Sequence, residues 1–190
     1  MEIIDLTAQF SLSAYASDPH AGTHIDAPAY VLQGQKTISQ LGLDVFLVDG
    51  VVLDLTHSGR GQAIDDEDLE AAEEAAGLAL REGEAVLLHT SAAEVPERDP
   101  STKHAYLSVN GAEYLEFKRV GIVGIDTPSV DSPDDPDLPT HRALLSKEIL
   151  VLEGLANLEK VDLPRFRLAS FPLRINAATS PVRAVAIVDE

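Results

Sequence analysis

The chain has 190 residues, 45% of them apolar, and 32 acidic against 14 basic side chains give it a formal charge of −18. It has no cysteine, which excludes disulfides, thiolate metal sites and cysteine nucleophiles, so any metal must be held by histidine, carboxylate, carbonyl or water. The acid excess argues against nucleic acid and anionic membrane surfaces as partners, since both require phosphate to be neutralised by Lys and Arg.

In chain order, MEIIDLTAQF opens with a short strand, IIDL, and has no basic patch ahead of an apolar run. No apolar run in the chain approaches the roughly 20 residues that span a bilayer, and a cytoplasmic location is expected. HAGTHIDAPAY, His20 to Tyr30, has the Gly, Pro and Ala content of an irregular loop or bulged strand. VVLDL (51–55), AVLLHT (85–90), VGIVGID (120–126) and EILVLEG (148–154) are compact runs of the kind found in strands buried on both faces, and VRAVAIVD near the C-terminus is another. IDDEDLEAAEEAAGLAL (64–80) has an acidic start suited to the positive end of a helix dipole, with Gly83 as the expected stop. Ser108 can cap a helix through AEYLEF, and Pro139 suits the first turn of a short helix through His141 and Leu145. Between them SVDSPDDPDLP (129–139), with three prolines and four aspartates, can be neither helix nor central strand; because it leads into His141 it is expected to cover a site. No repeat or Gly/Ser linker divides the chain, so a single α/β domain over 1–190 with a mixed sheet is expected. The acid excess also fits a surface adapted to high salt.

The chain has only six histidines, and two of them, His20 and His24, are four apart with Asp26 two residues on. On a helix Asp26 would point away from the other two, whereas a turn tightened at Gly22 lets all three converge. Two imidazoles and a carboxylate suit Zn²⁺, Mn²⁺ or Fe²⁺ with positions left open for water and substrate.

HAGTHIDAP resembles the H-x-G-T-H-x-D-x-P signature of the cyclase or kynurenine formamidase-like family of metal-dependent hydrolases. GIDTPSVD (124–131) resembles the family's strand-to-loop segment, and PTHRALLSKEILVLEGLANLEKV resembles the stretch that supplies a further ligating histidine and, twelve residues on, a glutamate, here His141 and Glu153. The resemblance implies a swivelling β/β/α fold and a divalent metal, Zn or Mn, as one or two ions held by His20, His24, Asp26, His141 and Glu153. It also suggests a homodimer or homotetramer. Thr23 is expected to orient a ligand by hydrogen bonding within its loop. Asp126, at a strand end before Thr-Pro, could support a ligand, but carboxylates in Pro-rich turns commonly cap their own backbone, and that is the reading favoured for Asp126 and Asp131. His57 and His89, each following a strand, either approach the pocket or are structural, and His104 is expected in a loop.

The chain departs from the family pattern two residues after the motif proline. There the pattern carries a histidine that acts as general acid/base, and this chain has Tyr30. Tyrosine, titrating near 10 against about 6.5 for histidine, is a poor base at neutral pH but can donate a hydrogen bond to an oxyanion. The activity implied is hydrolysis of a C–N bond in a small amide or lactam, such as N-formylkynurenine from tryptophan catabolism or an isatin-like ring, by attack of metal-activated water. Tyr30, His57 or His89 would aid proton transfer. The alternative is an altered family member that binds metal or a small molecule without hydrolysing it. The chain has no Trp, leaving Tyr15, Phe46 and Tyr106 as candidate rings to stack on an aromatic substrate.

Overall fold

The computed structural model describes residues 1–8, 11–90, 92 and 103–188. Its centre is four parallel strands, β3 (Leu47–Asp54), β5 (Ala85–His89), β7 (Ile122–Ile125) and β8 (Leu150–Glu153), side by side in that order. Parallel neighbours need crossovers, and each one here contains a helix: α2 (Asp66–Ala75), α3 (Val109–Phe117) and α4 (Pro139–Leu145). Antiparallel strands extend the sheet both ways. β9 (Phe166–Ala169), β11 (Val185–Val188) and β1 (Glu2–Asp5) lie beyond β3, and β2 (His24–Asp26) and β10 (Thr179–Pro181) lie beyond β8. A two-stranded parallel sheet joins β4 (Ala63–Ile64) to β6 (Tyr106–Leu107), and α1 (Leu12–Ser17) precedes the first histidine of the motif.

The period of two along each strand divides the apolar residues between two cores. Val86, Leu88, Val123, Ile125 and Val151 meet Leu69, Leu115 and Leu144 of the helices. Leu87, Ile122, Leu150 and Leu152 face the other way and share a core with Ile25, Leu168, Ala186 and Ile4. Ile4 and Ile25 lie toward opposite ends of the sheet yet share that core, so the sheet curls around it. The curl is held by Ala156 N–H donating to the Leu6 carbonyl at 2.9 Å and by a bridge between Thr7 and Leu155. Each fully buried Leu or Ile here contributes about 1.5–3 kcal/mol.

The expected α/β architecture with a mixed sheet is present. Boundaries differ in places: β3 begins at Leu47, ahead of the apolar run at 51–55, and α2 stops at Ala75, well before Gly83. Gly77 adopts φ +63°, and its N–H bonds the Glu74 carbonyl while the Leu78 N–H bonds that of Glu73, a Schellman ending that satisfies the last carbonyls. Ser108 caps α3 as expected, its hydroxyl accepting from Gly111 N–H at 3.0 Å. Among the described residues no helix is long and apolar enough to cross a membrane.

Candidate metal centre

β2 runs antiparallel to β8 with His24 opposite Glu153 and Asp26 opposite Val151. Ile25 and Leu152 point into the curled core, so His24, Asp26 and Glu153 project from the opposite face, toward α4. His141 enters from α4, and all four side chains are buried. His20 lies ahead of the strand, its N–H bonded to Asp18 Oδ1 at 2.9 Å, and Gly22 at φ +74° makes the turn that folds it back over His24. The strand ends are close. A Cβ on Gly154 would lie 2.5 Å from the Gly22 carbonyl oxygen, so only glycine lets the residue after Glu153 approach the residue before Thr23.

One nitrogen or oxygen from each of His20, His24, Asp26 and Glu153 falls within 4.8 Å of the others. His24 Nε2 is 3.0 Å from His20 Nδ1, 3.1 Å from Glu153 Oε2 and 3.7 Å from Asp26 Oδ2. His20 Nδ1 is 3.6 Å from Asp26 Oδ1. His141 Nε2 is 3.1 Å from Glu153 Oε1 and 3.4 Å from Asp26 Oδ2.

The protons on these rings are set from outside the cluster. His24 Nδ1 lies 3.0 Å from the Gly22 carbonyl, which can only accept, and His141 Nδ1 lies 2.6 Å from Asp131 Oδ2. Both Nδ1 atoms therefore donate, and in the neutral rings both Nε2 atoms turn lone pairs toward the carboxylates. Among the described residues neither oxygen of Asp26 has a hydrogen-bond partner, nor has His141 Nε2, although all are buried. Lone pairs and anionic oxygens converging in a buried site are costly unless a cation joins them. The donor set thus fits a divalent metal. Without one, protons serve instead: burial opposes charging His24, but the Glu153 and Asp26 carboxylates outweigh it and push the pKa up to about 9. For His141, burial is likewise outweighed, by Glu153, Asp131 and Asp26, and its pKa is pushed up to about 12. Glu153, despite its burial, is held well below the usual carboxylate range by His141 and His24.

Tyr30 ends a 3₁₀ turn, Pro28–Tyr30, directly after β2. Its ring lies 4.6 Å from that of His20 and 5.2 Å, edge-on, from that of His141. Burial, then the Asp26 charge, raises its pKa above the ordinary value, so the phenol keeps its proton at neutral pH.

All six predicted site residues are therefore brought together. Other expectations are revised. Thr23 does not bond within its loop: its hydroxyl donates to the Gly154 carbonyl at 2.6 Å and accepts from Ala8 N–H at 2.8 Å, fastening the turn to the end of β8. Asp126 accepts from the backbone and hydroxyl of Thr90, at 3.0 and 2.6 Å, joining the ends of β5 and β7 and not capping its own turn. Asp131 accepts from the N–H groups of Thr140 and His141 as well as from Nδ1. Its role as the partner of His141 was legible only as a carboxylate ten residues upstream, among three others in the same loop. That loop acts as a wall of the site where it begins, with Val130 N–H donating to Glu153 Oε1 at 2.7 Å. His57 is exposed beside Asp68, and His89 ends β5 opposite Asp54; neither joins the cluster. His104 lies in a loop, with Nδ1 bonded to the Ala105 carbonyl at 2.8 Å. Phe46 is fully buried in the curled core and cannot stack on a substrate. Tyr106 lines an open pocket of about 410 Å³ between α3 and the 131–139 loop, and the Tyr15 side chain lies outside the described residues.

The Cyclase family profile, whose description reads "Putative cyclase", matches residues 4–132, a span that ends ahead of His141 and Glu153. The chain is 32% identical over 176 residues to a kynurenine formamidase of Salinibacter ruber, covering 92% of this chain and 79% of that protein. With a kynurenine formamidase of Paracidovorax citrulli the identity is 34% over 176 residues, at 92% and 79% coverage. A solved structure described as a potential metal-dependent hydrolase with cyclase activity superposes with a TM-score of 0.83 at 25% identity, covering 100% of this chain and 98% of the other. Isatin hydrolase A from Labrenzia aggregata shares the fold, with a TM-score of 0.85 at 22% identity over 100% and 94% of the two chains.

Proposed function

The chain belongs to the Cyclase family, and from that premise we propose that it hydrolyses the C–N bond of a small amide or lactam, with His20, His24, Asp26, His141 and Glu153 holding a divalent metal. The observation that carries this reading is the buried convergence of histidine and carboxylate atoms around an Asp26 whose oxygens have no hydrogen-bond partner among the described residues. The nitrogen and oxygen donors suit Zn²⁺ or Mn²⁺. Glu153 turns one oxygen to His24 and the other to His141, and Asp26 approaches His20, His24 and His141, which supports one ion or two sharing these carboxylates. The kynurenine formamidase relatives point to N-formylkynurenine as the first substrate to test, and the isatin hydrolase neighbour adds lactams.

A divalent ion bound there polarises the amide carbonyl and makes water nucleophilic near neutral pH. The chain's own groups supply the rest. Asp131 and the Gly22 carbonyl fix the tautomers of His141 and His24, and Val130 N–H orients Glu153. Tyr30, protonated and at the edge of the cluster, donates a hydrogen bond to the oxygen or nitrogen on which charge develops. We further read residues 1–190 as one domain, supported by the pairing of β1 with β11 in the same sheet as the site. A cytoplasmic homodimer or homotetramer is part of the same reading.

Metal analysis followed by assay on N-formylkynurenine and a lactam panel with Mn²⁺ and Zn²⁺ tests the proposal. Turnover that is lost with chelator and in His24→Ala is expected. Metal binding without turnover, with activity appearing only in Tyr30→His, would mean a binding protein instead. A metal-free protein indifferent to His24→Ala would overturn both.

A further inference from the structure

We propose that Arg142 is a positioning residue that fixes the Tyr30 ring against His20 and His141. The inference rests on the reading of Tyr30 as the hydrogen-bond donor of the site. Arg142 follows buried His141 on α4, but its own side chain is exposed and lies across two backbone segments. Its Nη1 donates to the Val31 carbonyl at 3.0 Å and its Nε to the Asp137 carbonyl at 2.9 Å. Val31 closes the turn that presents Tyr30, its N–H bonded to the Pro28 carbonyl. Asp137 lies in the segment that leads into α4. One guanidinium thus ties the turn bearing Tyr30 to the helix bearing His141.

The tyrosine ring packs against the helical-side core and against the two imidazoles, contacts that hold it in part. Among the described residues its hydroxyl has no hydrogen-bond partner, and the ring is only half-buried. The position of the ring also depends on its backbone, a loop that closes on itself through Ala29 N–H and the Lys36 carbonyl at 3.0 Å. Besides the Tyr30–His141 ring contact, two polar side-chain ties hold that loop to the α4 region among the described residues. The Lys36–Glu148 pair, at 2.7 Å, is an exposed ion pair, of a kind that contributes little. Arg142 acts on the residue next to Tyr30. A planar fork that never loses its charge suits two fixed carbonyls, and a single ammonium does not reproduce its geometry.

The test uses the full-length, metal-loaded protein with ring-¹³C tyrosine, the Tyr30 signal being the one lost in Tyr30→Phe. In wild type that signal is expected to be displaced by its two neighbouring imidazoles. In Arg142→Ala it should move toward the position of an exposed tyrosine, with the thermal midpoint near that of wild type, and Arg142→Lys should not restore it. In the hydrolytic assay Arg142→Ala is expected to lower kcat about tenfold with little change in KM, the scale on which small misplacements act. It should cause no further loss in the Tyr30→Phe background. An unmoved Tyr30 signal in Arg142→Ala, or kcat losses that multiply in the double variant, would overturn the proposal. If Tyr30→Phe alone leaves kcat intact, the reading of Tyr30 fails, while the signal still decides whether Arg142 holds the ring.

Discussion

Asp131 determines which nitrogen of His141 faces the cluster. One of its oxygens accepts from Thr140 N–H at 2.6 Å, and the other accepts from both His141 N–H and Nδ1. In Asp131→Asn one of those positions becomes an amide donor facing N–H groups. Either a backbone N–H loses its partner or the ring changes tautomer and turns a proton toward Glu153. Metal affinity is expected to fall about 10- to 100-fold, the usual cost of losing such a partner, measured by calorimetric titration of Zn²⁺ into the variant. His20, His24, Asp26 and Tyr30 were legible because they lie within a few residues of each other, and His141 and Glu153 through a motif. Asp131 was not, because the loop offers four aspartates and only the path of the chain brings one of them to the ring.

Among the elements, the approach of β2 to β8 carries the site. Gly154 sits at φ +65° with its missing Cβ aimed at the Gly22 backbone. Gly154→Ala adds left-handed strain to a contact that no flexible side chain can relieve, and a loss of about 2–4 kcal/mol is expected from urea melts. The displaced strand also separates His24 from Glu153, so metal affinity should fall with stability. On the helical side, Glu73 of α2 accepts from Tyr114 at 2.5 Å and Leu80 N–H at 2.8 Å, with Lys118 Nζ 3.0 Å away. Burial works against the Glu73 charge, but these donors outweigh it and hold its pKa below the ordinary value. A lowered folded-state pKa gives stability that is present above the unfolded value and lost as pH falls through the folded one. Glu73→Gln should therefore destabilise by about 1–3 kcal/mol at pH 7, a gap that closes in urea melts below the carboxylate range. The same network explains why the end of α2 was misread: the Ala/Leu run continues past Gly77, but Leu80 N–H bonds Glu73 as the chain turns back.

For the whole molecule, the parallel strands were legible from compact apolar runs and the crossovers from acidic starts, Ser108 and Pro139. The curl was not, because β9 is short and shares its core with residues far away in sequence, and β10 is a three-residue strand, Thr179–Pro181, without an apolar run. Charge is the property of the whole that remains to be tested. If every basic side chain were paired with an acid, 32 less 14 would still leave 18 carboxylates unbalanced. Their mutual repulsion opposes the compact state, and it is long-ranged until salt shortens the Debye length from about 10 Å at 0.1 M to about 3 Å at 1 M. The thermal midpoint is therefore expected to rise with KCl at pH 7. Screening is mostly complete near 1 M, so a rise that continues above that point would identify a surface adapted to high salt, and a flat response would end that idea. Repeating the series near the sequence pI of about 4.5 supplies the control: with net charge close to zero the dependence should shrink. A salt response equally large at that pH would come from some source other than the acid excess.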